Sequence, residues 1–419
     1  MRLLISGGAS GGHVSAALAV ADAFSNRDPD GDVLLVGRTG GVEEALVPDA
    51  GFPLTTIRVS GWNRDVRWSN LRLPAILPPA LEDGVRVVDC FQPDVALGVG
   101  AYAMVPCLWA ARRRGIPYVL QVSEPGGLAH QMLRSGAAAA CVSFAEDAAC
   151  FPTRRTVFTG YPIRPGFLRA VPRVPPRRLL VMGGSLGARR LNQVVWGALD
   201  GLLQRFDEVV HLTGGQGERE ALRLVRHGYR PISTSTDVPS LMAAADLVLS
   251  RAGLGTCAEL TAAGLPAILV PGTFGGGHQE HNAAKLVAAG AATRLADAEL
   301  TVDRLLQQLQ ELDPTRLRRM ARASAAMGRF DAAARIVDVL EEVAASARAR
   351  MPAGRVRVSM SVLAGAGAYL RPSGPAVRRE RRVEDLFGQV TQAPELFAHL
   401  AQELGTEVVG PMEGVASRT

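Results

Sequence analysis

At 419 residues with 47% hydrophobic content, the chain has the length and apolar mass for two domains, each with its own core. Aromatic residues make up only 5% against 45 glycines, which disfavours a β-sandwich and suits closely packed strands and helices. The net charge of +6 favours acidic partners such as phosphates or anionic lipid, and no apolar run reaches the roughly 18 residues of a membrane span.

The N-terminal MRLLISGGASGG meets glycine within a few residues and is read as no signal peptide. Residues 2–6, RLLIS, predict a buried strand, followed by glycines and an apolar-periodic helix, HVSAALAVADAF. DPDGD (28–32) carries a DxD pattern that can chelate a metal–nucleotide, but its internal Pro and Gly make a solvated turn the better reading. DVLLVG (32–37) is the next strand. WNRDVRWSNLRLPAILPPAL (62–81) then interleaves Arg64, Arg67 and Arg72 with Trp62, Trp68 and Leu73. That pattern suits a membrane-interface patch, and equally a buried helix with solvated arginines.

DVALGVG (94–100) and YVLQV (118–122) continue the strands, and five prolines in YPIRPGFLRAVPRVPPRR read as an interdomain linker. RLLVM (178–182), GGSLGA and a helix from about Arg189 to Leu203 then repeat the opening design, RLLISGGASGG aligning with RLLVMGGSLGA without a gap. EVVHLT (208–213), DLVLS (246–250) and PAILVP (266–271) follow. Strands alternating with helices predict two doubly wound, Rossmann-like α/β domains. The boundaries expected are a first domain at 1–161, a linker at 162–177, a second domain at 178–347 whose last helix is free to pack back on the first, and an appendage at 348–419. The five cysteines, Cys90, Cys107, Cys141, Cys150 and Cys257, form no CxxC and read as small buried side chains in a reducing cytosol.

Glycine loops between strand and helix expose backbone N–H groups where phosphate binds. Neither loop here is a P-loop, since no GK[ST] follows. The GxGxxG spacing and the acid that a dinucleotide site wants are also absent, the second strand ending at Gly37-Arg38. RAGLGTCAELTAAGLP (251–266) predicts a glycine turn and a helix starting near Thr256, with Glu259 in its first turn. There Glu259 either caps the helix or accepts hydrogen bonds from a ribose diol. In HQEHNA (278–283), His278, His281 and Glu280 have zinc-like spacing, but no further His/Cys cluster supplies the missing ligands. After the strand PAILVP the stretch reads instead as a ligand-binding loop, with Asn282 starting the next helix.

Taken together, GGASGGHVSAALAVA, GVGAYAMVPCLWAARRRGIPYV, PGGLAHQML, TGYPIR, GGSLGARRLN, AADLVLSRAGLGTCAEL, AAGLPAILVP and HQEHNA resemble, in the same order over about residues 1–345, the MurG family of glycosyltransferases. The resemblance implies the GT-B fold: two Rossmann-like domains with parallel sheets facing across a cleft, acceptor and membrane on the N-terminal side, UDP-GlcNAc on the C-terminal side. It implies donor contacts at Ser10, Gly11, Gly12, Ser123, Arg164, Ser185, Ser235 (by its backbone), Leu254, Gly255, Thr256, Cys257, Ala258, Glu259 (on the ribose) and Gln279 (on the sugar). Inverting transfer of GlcNAc to the C4 hydroxyl of MurNAc in undecaprenyl-pyrophosphoryl-MurNAc-pentapeptide is the implied reaction. His13 is the candidate base, weighed against a role only in capping its helix or contacting a phosphate.

The acceptor side departs from the family pattern. Ser123 stands where the family has Asn, Gly100-Ala101-Tyr102-Ala103-Met104-Val105 keeps only Tyr102 and the first Gly, and Glu124 becomes an alternative base. A related transferase with another lipid or natural-product acceptor, and a weakly catalytic scaffold, are therefore weighed beside the implied reaction. No cofactor is expected to be required, a divalent ion being at most stimulatory. Expected partners are UDP-GlcNAc, the lipid acceptor and an anionic membrane surface at the cytoplasmic face, with no nucleic acid.

Overall fold

A computed structural model describes residues 1–8, 10–59, 73–123, 127–184, 187–273 and 277–350, with side chains described from Pro78 onward in the third stretch. The chain divides into two compact units, residues 1–159 with 333 onward, and residues 160–332.

The first unit is a seven-stranded parallel sheet in the order β3-β2-β1-β4-β5-β6-β7. Its strands are β1 (Arg2–Gly7), β2 (Asp32–Arg38), β3 (Leu54–Ile57), β4 (Val95–Gly100), β5 (Tyr118–Val122), β6 (Ala139–Val142) and β7 (Thr156–Phe158). The near-continuous apolar runs of β1, β4 and β5 follow from burial on both faces, which α1 (Gly11–Arg27), α2 (Glu43–Asp49), α3 (Leu73–Phe91), α4 (Met104–Arg113), α5 (Leu128–Leu133) and α6 (Asp147–Cys150) cover.

The second unit has six parallel strands in the order β10-β9-β8-β11-β12-β13. These are β8 (Arg178–Met182), β9 (Glu208–Leu212), β10 (Tyr229–Ile232), β11 (Leu247–Ser250), β12 (Ala267–Leu269) and β13 (Ala292–Arg294). The helices between and after them are α7 (Arg189–Gly197), α8 (Leu199–Arg205), α9 (Glu218–Leu222), α10 (Val238–Ala244), α11 (Leu254–Ala263), α12 (His278–Ala288), α13 (Val302–Gln310) and α14 (Pro314–Met327). The last helix, α15 (Ala332–Ala349), returns to the first unit, where Ile336, Val337, Leu340 and Val343 join the core of Leu3, Ile5, Val20 and Phe24.

Several local expectations change. The helix anticipated at 189–203 is two, since Ala198 ends α7 and opens α8. Five short strands, β3, β6, β7, β10 and β13, escape the apolar-run pattern. The proline-rich stretch is a docked strap of the second unit. Tyr161, Ile163, Phe167 and Ala170 are buried there, and Arg173 brackets the buried Asp246 carboxylate, which also accepts the N–H groups of Arg173, Arg177 and Arg178. Cys107, Cys141 and Cys257 are buried, but Cys90 and Cys150 are exposed.

Candidate functional site

In a doubly wound sheet, ligands bind beyond the carboxyl ends of the strands where the strand order reverses. In the first unit that point lies between β1 and β4, where Gly7 pairs with Gly100 after a register shift at Ser6. In the second it lies between β8 and β11.

At the first switch point, Ser10 ends the glycine loop as N-cap of α1, its Oγ accepting the His13 N–H at 3.5 Å. The same Oγ lies 2.9 Å from His13 Nδ1. On its other edge the ring rests over Gly100, where a Cβ would stand 2.7 Å from both Cδ2 and Nε2. Gly100 has φ +122°, so a side chain is excluded there by backbone and by space alike. Tyr102, half-buried, packs against the core just beyond.

Ser123, buried, follows β5, whose end is tied down from two sides. His130 of α5 donates from Nε2 to the Gln121 carbonyl at 3.0 Å, and the Ser143 hydroxyl donates to the Val122 carbonyl at 3.1 Å. Burial pushes His130 down to about 4, so this imidazole stays neutral and donates from Nε2 alone.

In the second unit α10, α13 and α14 are closed by Asp237, Thr301 and Asp313. Among the described residues no side chain caps α7 or α11, the helices that flank the switch point. Their first-turn N–H groups and positive dipole ends are thus aimed at the carboxyl edge of the sheet, a ready anion site.

Arg164 reaches this edge from the strap and donates to the Thr236 carbonyl at 3.3 Å and to Glu259 Oε1 at 3.5 Å. Helix α11 starts at Leu254, two residues earlier than expected, so Glu259 lies in its second turn and caps nothing. Burial raises its carboxyl to about 6 against the opposing pull of Arg164. Leu254, Gly255, Thr256 and Ala258 are half-buried, while the Cys257 thiol faces the core and leaves only its backbone for a ligand. Ser235 Oγ accepts from the Asp237 N–H, ordering the loop before α10.

The HQEHNA stretch forms the first turns of α12. Gln279 Oε1 accepts the Gly272 N–H at 2.8 Å, so the donor it offers a ligand is its NH2 group. Asn282 does not start the helix. It is buried in the second turn and donates to the Ala252 carbonyl at 3.1 Å, joining α12 to the end of β11. Glu280 is held by Arg294 through contacts of 2.7 and 2.9 Å, and His281 is exposed. Among the described residues no group of three or more His, Cys, Asp or Glu is placed to hold a metal ion.

Residues 3–124 match the glycosyltransferase family 28 N-terminal domain and residues 178–338 its C-terminal domain. The UDP-N-acetylglucosamine--N-acetylmuramyl-(pentapeptide) pyrophosphoryl-undecaprenol N-acetylglucosamine transferase of Desulforudis audaxviator is 37% identical over 373 residues, covering 82% of this chain and 99% of its own. The same-named protein of a Nocardioides species is 35% identical over 84% of this chain and 100% of its own. The chain belongs to the MurG family.

Among solved structures, MurG of Acinetobacter baumannii is similar with a TM-score of 0.65 at 24% identity, over 81% of this chain and 99% of that one. A glycosyltransferase of kitacinnamycin gives a TM-score of 0.58 at 19% identity over 81% and 98%. Both likenesses concern the fold, which is GT-B. Within this MurG-family chain the structure brings Ser10, Gly11, Gly12, His13 and Tyr102 to one edge, and Arg164, Ser235, residues 254–259 and Gln279 to another, each inside its own unit. Glu124, Ser185, Trp62, Arg64, Arg67, Trp68 and Arg72 lie outside the described residues, as does the side chain of Leu73 and the appendage beyond Arg350. Sequence reasoning missed Gly100 as the floor beneath His13 and His130 as the tether of β5. For Gly100 the one available signal was a glycine at the end of a strand, which does not say what rests on it.

Proposed function

We propose that the chain transfers GlcNAc from UDP-GlcNAc, with inversion, to the C4 hydroxyl of MurNAc in undecaprenyl-pyrophosphoryl-MurNAc-pentapeptide, the step that makes lipid II for peptidoglycan. The observation that carries this is relatives of that name aligned over 99–100% of their length.

His13 is the base. To take the acceptor proton through Nε2 its ring must carry hydrogen on Nδ1, and Ser10 Oγ, 2.9 Å away, has lone pairs for both that N–H and the backbone N–H of His13. Attack of the hydroxyl on C1 of the donor breaks the bond to UDP, and negative charge builds on the diphosphate. Arg164 and the uncapped N-termini of α7 and α11 supply the opposing potential. Glu259 takes the ribose diol and the Gln279 NH2 takes the sugar. With that charge on hand we infer that transfer requires no cofactor, so a chelator should leave the rate largely unchanged.

The acceptor carries a polyprenyl tail, and among the described residues no helix is long and apolar enough to cross a membrane. Peripheral attachment to an anionic surface, through the segment holding Trp62, Arg67, Trp68 and Leu73, fits both. Replacing Trp68 and Leu73 with Ser should then move protein off anionic vesicles, and unchanged co-sedimentation would remove that segment from the account. The function itself is tested with purified protein, UDP-GlcNAc and a lipid I analogue, following UDP release and the disaccharide product. Turnover with a different lipid acceptor but none with lipid I would overturn it.

A further inference from the structure

A buried polar clasp lies behind the second switch point. His211 of β9 is fully buried, with Nδ1 3.1 Å from the Tyr229 hydroxyl and Nε2 3.1 Å from Asn192 Oδ1. Asn192 Nδ2 donates to the Thr213 carbonyl at 2.7 Å, and Trp196 Nε1 donates to the Tyr229 hydroxyl at 3.0 Å. Asn192 and Trp196 stand one turn apart on α7, so the helix grips β9 and β10 at two points.

Groups that can only donate or only accept fix every proton in this chain. The Thr213 carbonyl only accepts, so the Asn192 amide nitrogen faces it and Oδ1 turns to His211. Oδ1 only accepts, so His211 Nε2 carries hydrogen. Trp196 only donates, so the Tyr229 oxygen receives it and the phenol hydrogen goes to Nδ1. One tautomer satisfies all four side chains.

The clasp ends at the glycine loop. A Cβ on Gly187 would stand 2.4 Å from the Thr213 carbonyl, so Gly187 rests directly on the carbonyl that Asn192 holds. A Cβ on Gly217 would stand 2.6 Å from Asn192 Nδ2, so the loop after β9 closes over the same amide.

We propose that His211 is a positioning residue for the donor half: as the neutral Nε2–H tautomer it sets Asn192 and Thr213, and through them Gly187 and the first turn of α7, next to where the diphosphate is received. This rests on the reading of the second unit as the UDP-GlcNAc site. Burial holds the imidazole down at about 3, so one proton arrangement persists across the physiological range.

The test is calorimetric titration of the full-length protein with UDP, together with donor KM and kcat, for wild type, His211→Leu and His211→Gln. Leu removes both hydrogen bonds, whereas Gln keeps a donor where Nε2 stands. His211→Leu should weaken UDP binding and raise donor KM by about tenfold with a smaller change in kcat, and His211→Gln should recover most of it. Nitrogen NMR of the wild-type imidazole should show hydrogen on Nε2 and none on Nδ1. If His211→Leu does not fold, Tyr229→Phe, which removes one hydroxyl, should shift UDP affinity in the same direction. A folded variant with a lowered melting temperature and wild-type UDP affinity would overturn the inference, as would the Nδ1–H tautomer. Wild type that binds no UDP would instead overturn the donor-site reading on which it rests.

Discussion

Gly100 and His13 are distant in sequence, yet one is shaped by the other. A methyl group at Gly100 would meet the imidazole 2.7 Å away on a backbone with φ +122°, so Gly100→Ala must displace the ring. A shift of about 1 Å at the reacting group lowers turnover on the order of 100-fold. Uridine affinity should not change, because the proposed uridine site lies in the other unit; a variant with near-normal kcat would remove His13 from the base role. Glu259 has its own signature. Its carboxyl is raised to about 6, and as a ribose acceptor it must be ionised. Affinity for uridine, which carries no phosphate to titrate, should fall as pH drops through 6. Glu259→Gln should bind about tenfold more weakly above that point and lose the dependence. Wild-type affinity that is flat across the same range would sink the ribose assignment.

At the scale of elements, α15 contributes a face to a core built mostly by residues far upstream. Leu340 is fully buried among them, so Leu340→Ala should cost about 2–5 kcal/mol in the first unit, read as a lower urea midpoint. Uridine binding should survive, and an unchanged midpoint would contradict the packing. How legible such elements are in the sequence depends on how their burial is patterned. RLLIS and YVLQV are largely apolar because both faces are covered, and they read correctly. Strands of three or four residues such as β7 and β13 offer no period to detect. The start of α11 was misplaced because Gly253 ends the turn without a capping side chain. The strap escaped because its prolines suggest a linker while its burial comes from partners such as Asp246, remote in sequence. The glycine loops and HQEHNA were legible as motifs. The contacts His13–Gly100 and His211–Asn192 were not, since topology alone brings them together.

For the whole molecule, acid separates the two units. His130 in the first and His211 in the second are held at about 4 and about 3, below their ordinary 6.5. The unfolded chain therefore binds the extra proton. The stability in question is complete above 6.5 and declines by about 1.4 kcal/mol per pH unit for each histidine until its folded value is reached. Glu259 has the opposite sign: raised from 4.5 to about 6, it favours the folded second unit as pH falls through that window and offsets His211 there. The first unit should thus lose protection steadily below 6.5, whereas the second should lose a little between 6.5 and about 6, hold level to about 4.5 and decline again below that. Hydrogen exchange followed by mass spectrometry resolves the two, and equal acid sensitivity would refute the assignment.

The return of α15 also sets an order of events on the ribosome. Residues 160–332 emerge between the first sheet and the helix that completes its core. At about 5–20 residues per second their synthesis takes on the order of 10–35 s. Through that interval Leu3, Ile5, Val20 and Phe24 wait without Ile336, Leu340 and Val343. A nascent chain holding an unfinished apolar face for so long presents the kind of surface that chaperones bind, and the second unit, continuous in sequence, is free to fold before the first is closed.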